Sequence, residues 1–72
     1  MSAYIDHQVL FAHANQNIES IRLFDVSGKH IKTYVPKEKN RAFNGDFNFP
    51  NGVYFAKIKL ENGLLFTRKL MN

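Results

Sequence analysis

Turn signals interrupt this chain too often for a helical fold. Asn15-Gln16-Asn17, Asp25-Val26-Ser27-Gly28, Pro36-Lys37-Glu38-Lys39-Asn40, Asn44-Gly45-Asp46, Pro50-Asn51-Gly52 and Glu61-Asn62-Gly63 fall between short runs rich in alternating apolar and polar residues. No window holds a sustained i, i+3, i+4 apolar stripe of helical length. The runs predict strands at Tyr4 to Ala14 with a break near His7, Glu19 to Asp25, Lys29 to Val35, Arg41 to Asn44, Val53 to Leu60 and Leu64 to Met71. All four glycines are expected in turns, where their tolerance of positive φ is useful. Turns at this spacing suit a small antiparallel β-sandwich or barrel of about seven short strands.

With 72 residues the chain is expected to form one domain, residues 1–72. A domain of this size buries only ~60% of the surface its unfolded chain exposes. There is no cysteine to add a disulfide or a thiolate zinc site, so seven Phe and three Tyr must supply much of the core. Ten Lys and Arg against six Asp and Glu give a net charge of +4, which makes an anionic partner worth testing. The opening segment MSAYIDHQVLFAHANQ has no basic n-region, and its apolar run VLFA is too short for a signal-peptide core or a membrane span. The chain is therefore expected to be either cytosolic or a fragment carrying an added initiator Met.

Turn chemistry constrains which side chains face inward. In LENGL, a two-residue Asn62-Gly63 turn would pair Glu61 with Leu64, whereas a three-residue loop with Gly63 in the left-handed region would pair Leu60 with Leu64. The second register puts Tyr54, Ala56, Ile58 and Leu60 with Leu64, Phe66 and Leu70 on one face, the more apolar sorting, and is the one expected. Val53, Phe55, Lys57 and Lys59 then share the opposite face with Leu65, Thr67, Lys69 and Met71. Arg68 falls on the apolar side and must lie near an edge so that its guanidinium can reach water. In IRLFDVSGKHI, Asp25 can accept hydrogen bonds from the turn and Gly28 can take positive φ. That hairpin is expected to place Ile21 and Leu23 opposite Thr33 and Ile31 on the core face, with Phe24 and His30 paired outside beside Arg22 and Lys32.

Little in the sequence points to catalysis. His7, His13 and His30 lie on different predicted strands, without i, i+2 spacing or an accompanying carboxylate cluster, so no metal site and no cofactor are expected. Ser2, Ser20, Ser27, Thr33 and Thr67 lack a nucleophile context, and no glycine belongs to a strand, Gly-rich loop and helix unit. A nucleic-acid surface is the physical alternative. Phe24, Tyr34, Phe43, Phe47, Phe49, Phe55 and Phe66 alternate with Lys and Arg as they do where β-domains stack bases and neutralise phosphates. Burial is nevertheless the default use of Phe in so small a core. An Ig-like accessory module of a larger secreted enzyme is a further alternative.

Ile21-Arg22-Leu23-Phe24-Asp25-Val26-Ser27-Gly28-Lys29, Pro50-Asn51-Gly52-Val53-Tyr54-Phe55-Ala56-Lys57-Ile58, Glu61-Asn62-Gly63 and Thr67-Arg68-Lys69-Leu70 together resemble the C-terminal sorting domain of the type IX (Por) secretion system of Bacteroidota. That family's pattern has an aromatic-Asp-x-x-Gly-Lys/Arg turn, a Pro-x-Gly-x-Tyr strand entry and a closing Thr-x-Lys strand, and all three occur here in order. The match covers Ile18 to Asn72 well and the segment from Tyr4 more loosely. The Tyr-Pro-Asn-Pro opening of type A domains is missing, and the route into Ile18-Glu19-Ser20-Ile21 is closer to type C, whereas Gly52-Val53-Tyr54-Phe55 is closer to type A.

The resemblance implies a small Ig-like β-sandwich at the end of a larger secreted protein, with no enzymatic activity, no nucleic-acid partner and no membrane insertion. It implies passage through the periplasm, recognition by an outer-membrane shuttle or translocon, export to the cell surface or medium, and cleavage by a sortase-like peptidase. On this basis Gly52, Tyr54, Phe55, Lys57, Lys59, Arg68 and Lys69 are candidates for partner recognition, with Gly52 and Tyr54 also open to a turn-forming and a core-filling role. Asp25, Gly28, Pro50, Asn62 and Gly63 are expected to shape turns. An exposed terminal strand could also pair with a second copy.

Overall fold

The computed structural model describes residues 1–72 as seven strands in two antiparallel sheets, with no helix. The strands are β1 (Ser2–Asp6), β2 (Val9–His13), β3 (Ile18–Asp25), β4 (His30–Tyr34), β5 (Ala42–Asp46), β6 (Val53–Leu60) and β7 (Leu65–Met71). One sheet runs β1-β2-β5 and the other β4-β3-β6-β7. Their inner faces enclose a core built from alternate residues: Leu10 and Ala12 of β2, Ile21 and Leu23 of β3, Tyr54, Ala56, Ile58 and Leu60 of β6, and Leu70 of β7. No polar side chain is buried.

The two hairpins of the four-stranded sheet close alike. Gly28 N–H donates to the Asp25 carbonyl at 3.0 Å and Gly63 N–H to the Leu60 carbonyl at 3.0 Å, and the glycines sit at φ 88° and 89°. Leu60 N–H donates to the Leu64 carbonyl at 2.9 Å, so the three-residue loop is the one formed. Beyond it Ile58 faces Phe66, Phe55 faces Lys69 and Tyr54 faces Leu70, the register that sorts the apolar face inward, except for Leu64, which the loop leaves exposed. Arg68, opposite Ala56 on the edge strand β7, is half-buried and lies 5.4 Å from the Phe66 ring, the snorkelling position its place in the pattern demands.

Two expectations are corrected. The register of β3 with β4 holds for Phe24 and His30 but shifts at the next step, where Ile31 is an extra residue. Tyr34 therefore comes opposite Ile21 and Thr33 opposite Arg22. The bulge lets the larger apolar ring fill the core and sends the Thr33 hydroxyl outward to His30 Nε2 at 2.8 Å. Lys32 moves to the inner side, its Nζ 4.7 Å from the Tyr34 ring.

Gly45 lies in β5 opposite Leu10, not in a turn. A Cβ there would come within 2.8 Å of Phe43 Cζ and 3.1 Å of Tyr34 Cδ1, so the glycine makes room for two rings.

The first run breaks at His7, as its pattern predicts, into a hairpin of two strands. His7 and Gln8, at φ 48° and 63°, form its two-residue turn, a conformation normally supplied by Asn-Gly.

Phe47, which no strand prediction covered, is fully buried. Its ring packs edge-on against Phe49 at 5.1 Å and Tyr54 at 5.0 Å. Phe43, Phe49 and Phe66 pack against the core from partly buried positions and Tyr34 lies within it. Of the seven aromatics that suggested a base-stacking surface, only Phe24 and Phe55 face outward on the four-stranded sheet.

Candidate functional site

The outer face of the four-stranded sheet is laid out in rows that follow from the registers. His30, Phe24, Phe55 and Lys69 form one row, and Thr33, Arg22, Lys57 and Thr67 form the next. Ser20, Lys59 and Leu65 form a third. Phe24 is the hub: its ring meets His30 edge-on at 5.4 Å, with Arg22 Cζ 5.3 Å and Lys57 Nζ 5.2 Å from its centroid. Each cation gains about 0.5–1 kcal/mol from a ring at an exposed site.

Charge on this face is poorly balanced. Lys59 Nζ lies 3.1 Å from Glu19 Oε2, but Arg22, Lys57 and Lys69 have no carboxylate within ion-pair distance. The one acid beside them, Asp25, is held by its own turn. Its Oδ1 accepts from Ser27 N–H at 2.9 Å, Ser27 Oγ at 2.6 Å and Lys29 N–H at 3.0 Å. The Ser27 hydroxyl and then the Lys29 amide hold its carboxyl below the ordinary value. A shallow cavity of about 370 Å³ opens next to this turn, lined by Phe24, Phe55, Lys57 and the residues from Asp25 to Gly28.

The seven candidate recognition residues divide between surface and frame. Phe55, Lys57, Lys59 and Lys69 share the outer face. Tyr54 is 7% exposed, and its hydroxyl donates to the Pro50 carbonyl at 2.6 Å, which is the core-filling alternative. Gly52 exchanges backbone hydrogen bonds with Asn72 at 3.1 and 2.9 Å, and Asn72 Nδ2 donates to the Phe49 carbonyl at 3.0 Å. The end of β7 is thereby tied to the entry of β6. Arg68 lies on the inner side. Among the turn residues, Asp25, Gly28 and Gly63 act as described, Asn62 Oδ1 accepts from Leu64 N–H at 3.1 Å, and Pro50 supplies the acceptor for Tyr54. Arg22 and Phe24 were placed outside by the sequence pattern. What the sequence could not show is that β3 pairs with β6, which joins them to the closing hairpin.

Residues 4–72 match the secretion system C-terminal sorting domain family. The chain belongs to this family. No curated protein matches it. As a sorting domain it carries the signal for type IX secretion, a non-catalytic task that brings it into contact with the secretion machinery and leads to export across the outer membrane. No three His, Asp or Glu side chains of the sorting domain converge as metal ligands would.

Proposed function

We propose that this sorting domain closes a larger secreted protein, crosses the periplasm with it, and is read by an outer-membrane shuttle or translocon before a sortase-like peptidase removes it. Membership of the sorting-domain family supports the export role. The observation that carries the choice of surface is the β6·β7 register, which points Phe55, Lys57, Lys59 and Lys69 to solvent on a rigid hairpin. A receptor can read such a face because side chains repeat at fixed two-residue spacing and do not have to be ordered on binding. Tyr54, Gly52 and Arg68 contribute by holding the hairpin in shape.

The test is export of a fluorescent reporter that carries a cleavable N-terminal signal peptide for the inner membrane and is fused at its C-terminus to residues 1–72, in a bacterium with a type IX system. The intact domain is expected to deliver the reporter outside the cell, and Lys57→Glu together with Lys69→Glu to leave it in the periplasm while circular dichroism shows an unchanged fold. Retention of the reporter by the unaltered domain would refute the sorting role. Full export of the double variant would refute the choice of surface.

A further inference from the structure

Arg22 and Lys57 stand directly opposite each other on β3 and β6. Like charges in that position destabilise a sheet. Both flank one ring, Phe24, and neither has a carboxylate partner in the chain. Glu19 is committed to Lys59, and Asp25 turns its carboxylate onto Ser27 and Lys29. Two cations held over one aromatic ring with no carboxylate beside them concentrate positive charge that an arriving anion can neutralise.

We propose that this face receives an acidic peptide segment, with a carboxylate between Arg22 and Lys57 and an apolar side chain two residues away in the cavity beside Phe24, Val26 and Phe55. The row of Phe24 and Phe55 and the row of Arg22 and Lys57 are two residues apart along their strands, roughly 6.6–6.8 Å. That is the distance between side chains i and i+2 on one face of an extended peptide. The cavity is shallow and opens directly beside Lys57 and the Phe24 ring that both cations flank, a place where a side chain of a segment laid across the sheet can enter. Val26, 69% exposed, gives it an apolar wall that a free phosphate would not use. A nucleic acid would need stacking faces, and the Phe24 ring is already occupied by its two cations. The proposal rests on the sorting role for its biological partner, an acidic strand or loop of the export machinery, but the site itself can be tested without that machinery.

The 72-residue chain, labelled with nitrogen-15, is titrated with the blocked peptide Ac-SFSES-NH2, with Ac-SFSKS-NH2, with inorganic phosphate, and with phosphatidylglycerol vesicles. Saturable shifts are expected at the amides of residues 22–28 and 55–57 with the glutamate peptide, at least fivefold weaker with the lysine peptide. Affinity should fall at least tenfold in the folded double variant Arg22→Gln, Lys57→Gln. Absent shifts, equal binding of the two peptides, unaltered binding by the variant, or tighter binding of phosphate or vesicles would each overturn the proposal. Export separates the two levels. If the unaltered domain delivers its reporter and the Arg22→Gln, Lys57→Gln variant does so equally well, the acidic-segment site falls and the sorting role stands. If the unaltered domain fails to deliver, the sorting role falls, and the titration still decides the site.

Discussion

Replacing Tyr54 with Phe decides whether the Pro-x-Gly-x-Tyr segment is read by a partner or holds the fold. The hydroxyl makes one hydrogen bond, to the Pro50 carbonyl at 2.6 Å, and the ring packs edge-on against Phe47 at 5.0 Å. A net hydrogen bond contributes about 0.5–1.5 kcal/mol. The Pro50 carbonyl keeps a long contact from Asn72 Nδ2 at 3.4 Å and is not orphaned, so the cost settles near 1 kcal/mol. In a domain of 60–100 residues this lowers Tm by about 4–8 °C. Typical stabilities per residue give this chain about 4–11 kcal/mol, so Tyr54→Phe stays folded at growth temperature and should export its reporter normally. Tyr54→Ala removes the ring as well and costs about 3–5 kcal/mol, several times the loss in Tyr54→Phe. Thermal melts by circular dichroism and reporter export on the same variants provide the comparison. Loss of export in Tyr54→Phe with Tm unmoved would show that the hydroxyl is a contact and that the structural account is wrong.

Three further outcomes follow from the turns. Changing His7 to Asn and Gln8 to Gly puts a residue that tolerates the left-handed region and a glycine at two positions of positive φ, where an ordinary side chain costs about 1–2 kcal/mol, against the extra chain entropy of glycine. A net gain of about 1 kcal/mol should raise Tm by about 4–8 °C in a calorimetric scan. Gly63→Ala meets no atom within 4 Å, so its whole cost is the backbone at φ 89°, about 1–2 kcal/mol, seen as a lower urea midpoint with an unchanged m-value. Acid should weaken the fold through Asp25 and Glu61, whose carboxyls the Ser27 hydroxyl and the Asn17 amide respectively hold below their ordinary values of 3.8 and 4.5. A carboxyl with a lowered folded pKa stabilises fully above its unfolded pKa. That contribution fades as pH falls through the folded one, so Tm should drop below about pH 4 and Asp25→Asn should shrink the drop.

The sequence carried the closing hairpin almost completely, because period-two alternation and a Glu-Asn-Gly turn leave one register that buries Tyr54, Ile58, Leu60 and Leu70 together. It carried the Asp25 to Lys29 turn for the same reason. It failed where tertiary packing overrides local rules. Ile31 bulges so that Tyr34 can enter the core, and nothing in His30-Ile31-Lys32-Thr33-Tyr34 distinguishes that from a regular strand. Gly45 resembles a turn glycine between Asn44 and Asp46 until the rings of Phe43 and Tyr34 are seen to occupy its missing side chain. The His7-Gln8 turn has no turn-forming dipeptide to announce it. The outer face was legible strand by strand, but its rows depend on β3 lying beside β6, a non-local pairing that no short-range pattern encodes.

That non-local pairing also shows how one small domain can be both stable and recognisable. In β3 and β6 the inward side chains Ile18, Ile21, Leu23, Tyr54, Ala56, Ile58 and Leu60 are buried and set the stability. Their neighbours Arg22, Phe24, Phe55 and Lys57 carry none of that apolar burden. The carboxylates that make ion pairs with lysines stand elsewhere, Glu19 on Lys59 and Glu61 3.3 Å from Lys39, and none is placed against Arg22 or Lys57. A cross-strand like-charge pair destabilises a sheet, and an acid at either position would turn it into an opposite-charge pair that contributes about 0.2–1 kcal/mol. Under the proposed reading by a receptor there is a reason to keep the pair, since a surface already neutralised by its own acids offers a partner nothing to complement. The alternation that builds the sandwich therefore confines the destabilising charges to the one face where a partner can answer them.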